Sequence, residues 1–456
     1  MRLRRLIAAA LVAAVLFPNS VSAGSASKGA RLGLVLHDGV SLRSGPSTHA
    51  SVVAVLVEQT QVELLKTTQQ WRHVRIWASV KGWLPAREVV FRKPWKTVST
   101  YRAPEVHYHV QVHGALALDQ AAVLTSPTPL FSGPGGHRLS VLPAGSVAVT
   151  AWRQDATGSI WYGMRGGWVR ADSVVFAGPD PTRTTVGGRL LWQGAAGKGM
   201  WITLGPIADS NPKAIVQAAL DSGIRHLYLE SAISPLGFHG KQSVGPLLEE
   251  AHRHGLIVLA WVYPYLYDIA SDVALTREVA AYRSKTGEQF DGIAADLERN
   301  MAGPAISAYS QLIRAYLGQH YLLVGVTYPA QSLASYPFGA VARSYNVVAP
   351  MDYWHQTATS RGLNYGGMGY GADYSQRYAE DSILAIRRAA PGAKIEPIGQ
   401  AFDNFGHEEM GPNAPSAEEI KGFLRGSKLS GAIGVSFFQW MTATDAEWRA
   451  IRAFRY

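Results

Sequence analysis

Asp296 and Glu298 close a run of small and apolar residues, Asp291-Gly292-Ile293-Ala294-Ala295-Asp296-Leu297-Glu298. Two apart on an extended chain, their side chains share one face. Carboxylates held this close repel, so one keeps its proton and can serve as an acid while the other stays ionised. Two acids at a strand end could also pair with an arginine or cap the helix that follows. The ends of neighbouring apolar runs carry Glu230, Trp261, Tyr263, Tyr328, Asp352, Tyr353, Gln400, Asp403, Gln439 and Trp440. Aromatic faces cover the apolar faces of sugar rings, and amides and carboxylates bind sugar hydroxyls, so the set reads as a carbohydrate site. It holds no His cluster and no Ser/His/Asp order, and no metal or cofactor is expected there. The chain has no cysteine, which excludes a disulfide scaffold, thiolate zinc, iron–sulfur clusters and a cysteine nucleophile.

These residues need a scaffold that brings distant strand ends together. From residue 191 onward, apolar runs alternate with amphipathic stretches. Strands are expected at 199–204, 226–230, 257–263, 292–298, 322–328, 346–351, 394–398 and 432–440, with Pro350 interrupting the sixth. Helical patterns such as 212–222, 245–254 and 307–317 lie between them, and Ser416-Ala417-Glu418-Glu419 has the form of a capping box. Eight buried strands separated by helices describe a (β/α)8 TIM barrel, whose chemistry sits at the carboxyl ends of the strands. A doubly wound open sheet is the alternative, but no Gly-rich phosphate turn follows the first strand.

The strand-four run resembles the Asp-x-x-Asp-x-Asp-x-Glu signature of family 18 glycoside hydrolases, the chitinase-like barrels, with Ala294 in place of the middle Asp. Met351-Asp352-Tyr353 is similar to the Met-x-Tyr of their sixth strand, and Trp440 to their eighth-strand Trp. Asp296-Leu297-Glu298 also resembles, more weakly, the Asp-x-Glu of family 25 lysozymes. The family 18 resemblance implies that Glu298 protonates the glycosidic oxygen. Asp296 would orient the substrate's acetamido group for attack on the anomeric carbon, and Tyr353 would assist. Asp352, Trp440, Gln439, Gln400, Asp403, Tyr263, Tyr328 and Glu230 are the expected substrate-binding residues.

The N-terminal half is built differently. Leu42-Arg43-Ser44-Gly45-Pro46 recurs as Leu130-Phe131-Ser132-Gly133-Pro134, and Gly82-Trp83-Leu84 recurs as Gly167-Trp168-Val169. Short alternating strands with Gly/Pro turns between these anchors point to two small all-β barrels. Their order of motifs resembles bacterial SH3-like domains, which are thought to bind wall polymers. The copies are expected at 31–92 and 122–177, with a connector at 93–121 and a linker at 178–190 before the barrel at 191–456. Trp83 and Trp168 are expected in the cores of these modules. His107, His109 and His113 in the connector are weak evidence for a metal site.

Residues 1–23 read as a Sec-type signal peptide: Arg2, Arg4 and Arg5, an apolar run from Leu6 to Phe17, then Val21-Ser22-Ala23. An uncleaved anchor is the alternative, but the run is shorter than the roughly 20 apolar residues that span a bilayer. A secreted or envelope-associated protein without a transmembrane anchor is expected. The net charge is +10, and it is uneven: residues 24–184 hold 17 Lys and Arg against 9 Asp and Glu, whereas residues 185–456 are almost balanced. A basic exported module suits cell-wall polysaccharide, peptidoglycan or anionic envelope polymers. Nucleic acid fits the charge but not the export signal. The expected function is that of an exported glycosidase on an N-acetylhexosamine polymer. The alternative is a non-catalytic carbohydrate-binding protein with a degenerate barrel, which Ala294 favours.

Overall fold

The computed structural model describes residues 31–35, 40–56, 61–76, 80–91, 114–185, 188–203, 211–234, 236–331, 333–355, 372–402, 415–440 and 442–456. The protein is multidomain: SH3-like all-β structure precedes a closed barrel of eight parallel strands. The expected signal peptide, the three connector histidines and Asp403 lie outside the described residues.

The first sheet comprises β1 (Arg31–Val35), β2 (Val40–Arg43), β3 (Val52–Leu56), β4 (Gln61–Thr67), β5 (Trp71–Ile76), β6 (Val80–Pro85) and β7 (Val89–Phe91). The second comprises β8 (Leu116–Leu124), β9 (Thr128–Phe131), β10 (Arg138–Leu142), β11 (Gly145–Gln154), β12 (Ile160–Met164), β13 (Gly167–Arg170) and β14 (Val174–Phe176). Both have the same strand order, β3-β2-β6-β5-β4-β1-β7 and β10-β9-β13-β12-β11-β8-β14. The internal repeat is therefore one topology used twice. The second sheet begins at Leu116, inside the stretch expected as connector, because β8 runs on to pair with the end of β11.

Trp83 and Trp168 are half-buried rather than core residues, a correction to the sequence reading. Strand alternation sends the next residue inward instead: Leu84 and Val169 are fully buried. Trp83 stacks on His73, with ring centroids 4.7 Å apart. The first module has its own core, with Leu42, Val62, Val74 and Leu84 at its centre. That of the second, including Val149 and Trp152, is continuous with the core of the TIM barrel.

The barrel strands are β15 (Gly197–Ile202), β16 (Ile224–Ile233), β17 (Ile257–Tyr263), β18 (Gly292–Asp296), β19 (Leu322–Thr327), β20 (Val347–Asp352), β21 (Ile398–Gln400) and β22 (Gly434–Phe438). They close in sequence order, β22 pairing with β15. Around them lie α1 (Pro212–Asp221), α2 (Val244–Arg253), α3 (Ile269–Ala280), α4 (Gly303–Leu317), α5 (Phe338–Ala342), α6 (Ala372–Ala389), α7 (Ala417–Leu429) and α8 (Asp445–Ala453). Pro350 does not break the sixth strand: it lies opposite Thr327, at the last pair of β19 with β20. The Ser416–Glu419 capping box starts α7, each side chain bonding the other's backbone N–H. No described helix is long and apolar enough to cross a membrane.

The second module is docked on the helix layer. Trp152 Nε1 donates to the Tyr316 hydroxyl on α4 at 2.8 Å, and that hydroxyl donates to the Ala117 carbonyl of β8 at 2.8 Å. Buried Gln154 donates to the Tyr267 carbonyl and accepts from the Ala270 N–H, both at 3.3 Å. It thereby holds the loop between β17 and α3, at the carboxyl end of the barrel.

Candidate active site

The lumen is filled in layers of alternate residues. Deepest lies Gly199, where a Cβ would come within 2.1 Å of His226 Nε2. Only a glycine leaves room for that ring, which is fully buried and 2.7 Å from Glu396 Oε1. The Tyr228 hydroxyl donates to the other Glu396 oxygen. Above them Trp201 stacks on Tyr228 at 4.1 Å, meets Trp261 edge-on at 5.4 Å, and donates from Nε1 to Ser436 Oγ at 3.0 Å. Sequence reasoning missed this layer, since His226 and Glu396 are 170 positions apart.

At the next level Trp261 Nε1 donates to Asp296 Oδ2 at 3.0 Å. Asp296 is 2% exposed and Glu298 3%, so the pair is almost dry. Asp296 Oδ1 and both Glu298 oxygens lack a hydrogen-bond partner of regular geometry among the described residues. Burial lifts Asp296 to about 6, against the opposing hydrogen bonds of Glu298 and Trp261. Glu298 is raised well above the ordinary carboxyl range, first by burial and then by the charge of Asp296. The Tyr328 hydroxyl and Arg299 pull it back in part. The pair therefore holds a shared proton more tightly than two separate carboxyls would, and the stronger upward push falls on Glu298.

Tyr263, Tyr328 and Tyr353 surround the pair. Each hydroxyl is held neutral by burial and then by the negative charge of Glu298 and Asp296. Of the three, Tyr328 hydrogen-bonds Glu298, while Tyr263 and Tyr353 stand close enough to feel the charge of the pair. Tyr353 meets Phe402 edge-on at 5.0 Å and Phe438 at 6.1 Å, and Phe438 lies 5.8 Å from Trp261. This aromatic wall includes two phenylalanines, Phe402 and Phe438, that sequence reasoning passed over. A period-two count back from Trp440 reaches Phe438 and Ser436, which was the signal available.

The remaining expected residues are not all brought to this centre. Asp352 points away from it: Ser382 Oγ on α6 donates to Asp352 Oδ1 at 2.6 Å. Strand alternation places Met351 and Tyr353 on one side and Asp352 on the other. Trp440 packs edge-on to Trp448 of α8 at 4.9 Å, whereas Phe438 lies 5.8 Å from Trp261. Gln439 Oε1 accepts from Thr203 at 2.9 Å. Gln400, fully buried, accepts from the His355 N–H and donates to the Phe402 carbonyl, bracing the backbone on either side of the aromatic wall. Glu230 is partly exposed and lies 3.2 Å from His239 Nε2.

Residues 37–90 match the bacterial SH3 domain. No curated protein matches the chain. Among solved structures it is similar to the spore cortex-lytic enzyme SleL of Bacillus cereus, at 12% identity over 56% of this chain and 73% of that one, TM-score 0.43. It is also similar to a class V chitinase from Pseudomonas fluorescens, at 14% identity over 57% of this chain and 99% of that one, TM-score 0.44. A third is a glycoside hydrolase family 18 N-acetylglucosaminidase from Paenibacillus barengoltzii, at 13% identity over 56% and 99%, TM-score 0.39.

Proposed function

We propose that this protein is an exported glycoside hydrolase of the cell envelope that cleaves an N-acetylhexosamine polymer, either peptidoglycan or a chitin-like glycan. The observation that carries this reading is the dry pair Asp296–Glu298 at the carboxyl end of β18, where burial and the charge of Asp296 raise the affinity of Glu298 for its proton. A protonated carboxyl among apolar walls is what a general acid needs.

In the proposed reaction Glu298 gives its proton to the glycosidic oxygen as the bond to the anomeric carbon breaks. The acetamido oxygen of the same sugar attacks that carbon from the opposite side. Asp296 accepts a hydrogen bond from the acetamido N–H, and the Tyr353 hydroxyl donates to its oxygen. Water then attacks the anomeric carbon, returning its proton to the Glu298 carboxylate and releasing the acetamido group. Tyr263, Tyr328, Gln400, Gln439 and Glu230 are proposed to bind sugars, with Trp261 and Phe438 as the apolar floor. Asp352 and Trp440 stay in the proposal as expected binders from the sequence, with no described contact to the pair supporting them, and Asp403, outside the described residues, stays as an expectation of the sequence alone.

The basic residues of 24–184 support a tether role for the SH3-like pair, which would raise the local concentration of wall polymer without touching the reaction. A binding protein without turnover is the second reading, and Ala294 favours it: no third carboxyl stands two residues before Asp296. Incubation of the full chain with peptidoglycan and with chitin oligosaccharides separates the two. New reducing ends support the hydrolase; retention of polymer without them supports the binding protein.

A further inference from the structure

We propose that Arg299 recognises a carboxylate on the glycan, so that the substrate is an acidic N-acetylhexosamine polymer rather than a neutral one. This rests on the hydrolase reading above and narrows its substrate class.

Arg299 directly follows Glu298 and is half-buried at the mouth of the barrel. Its guanidinium carbon stands 4.9 Å from the ring centroid of Tyr265 and 6.0 Å from that of Tyr263. The two rings cover apolar surface of the cation and offset part of its desolvation. No Asp or Glu among the described residues forms an ion pair with it, and its Nε is buried without a hydrogen-bond partner. Among the described residues its partners are the Tyr265 hydroxyl, to which it is hydrogen-bonded, and the charge of Glu298, whose proton it opposes. A cation at this position thus works against the general acid, and a neutral residue would serve that acid better. What the guanidinium adds is a planar fork of donors that fits a carboxylate with two parallel bonds. The same charge acts on Tyr263 and Tyr328, which places it beside the tyrosines that surround the carboxyl pair.

A glycan supplies such a carboxylate either as a lactyl ether on an N-acetylhexosamine or as the oxidised C6 of a uronic acid. The test uses the full chain carrying Glu298→Gln, whose turnover is expected to be slow enough for binding to be measured. Calorimetry compares three oligosaccharides of equal length: one with lactyl ethers, one with uronates, and a neutral N-acetylglucosamine oligomer. The expected result is that one acidic oligosaccharide binds about 10-fold or more tightly than the neutral one, the value of a charge-assisted bond. That ratio should fall to near one when Arg299→Gln is added and should be partly kept with Arg299→Lys, which retains charge without the fork. Which acidic arm shows the preference identifies the source of the carboxylate. If Arg299→Gln does not fold, Arg299→Lys and the first comparison still decide. Equal binding of neutral and acidic glycans, or a ratio unaffected by substitution at Arg299, overturns the assignment while leaving the hydrolase reading in place. Failure of all three to bind, with no cleavage by the parent, overturns both.

Discussion

Replacing Asp296 with Asn should raise the melting temperature of the barrel at neutral pH while impairing turnover. The carboxyl is fully enclosed, and burial lifts it from 3.8 to about 6. In the unfolded chain Asp296 releases its proton freely; in the folded chain it holds that proton more tightly. Stability therefore falls as pH rises from the unfolded value through the folded one, and the full penalty persists above it. A lift of about two pKa units corresponds to about 3 kcal/mol. Asn keeps the shape and still accepts from Trp261 Nε1, although exchanging a charged acceptor for a neutral one gives back about 1 kcal/mol. The net gain of about 2 kcal/mol amounts to roughly 4–8 °C for a domain of this size. Thermal unfolding of parent and Asp296→Asn at about pH 7.5 and again at about pH 3 measures it, because the gain should nearly vanish once Asp296 is protonated in both states. An equal shift at both pH values, or a loss of stability at neutral pH, would refute the claim that a buried charge strains this site.

His252, at the end of α2, lies 2.6 Å from Glu288 Oε2 and 3.0 Å from Asp291 Oδ2. Burial works against its charge, but the hydrogen bonds and charges of Asp291 and Glu288 prevail and raise its proton affinity. Its contribution is complete below the ordinary histidine value and disappears as pH rises through the raised one. His252→Asn should therefore lower the melting temperature most in mildly acid solution, and a penalty independent of pH would count against the pairing. Gly199→Ala forces a methyl group against His226, which Glu396 pins in place, and should cost at least about 1–3 kcal/mol; an unchanged melting temperature would show that the lumen is looser than described. Gln154→Ala removes both bonds by which the second module holds the loop before α3, leaves a buried N–H unsatisfied, and should cost about 1–3 kcal/mol. Protease cleavage at 178–190 should quicken in that variant, and unchanged cleavage would mean that the docking does not depend on Gln154.

The barrel was legible in the sequence because each strand is an apolar run bounded by turn residues and followed by a helical pattern. Strand phase was not. Barrel strands are buried on both faces, so Val347–Asp352 reads as continuous apolar sequence, and nothing local says that Tyr353 faces the lumen while Asp352 faces α6. Asp296 and Glu298 were legible because carboxylates two apart share a face whatever the phase. The seventh strand was placed early: β21 begins at Ile398, and before it Ile395 makes only a single bridge to Val348. Contacts that depend on closure, such as Glu396 with His226 and Tyr228, join residues about 170 positions apart and leave no local mark. In the modules, the repeated Gly-Trp pair marked the strand correctly, but alternation gave the core to Leu84 and Val169 rather than to the tryptophans.

The central claim is that Glu298 is the general acid, and the most direct test is the turnover rate of Glu298→Gln on an oligosaccharide that the parent cleaves. Gln keeps the size and hydrogen-bonding capacity of the side chain but has no proton to give to the leaving oxygen. General acid–base help is typically worth about 10²–10⁴-fold, so the rate should fall by at least that order while polymer is still bound. A variant that cleaves the oligosaccharide as fast as the parent would contradict the assignment.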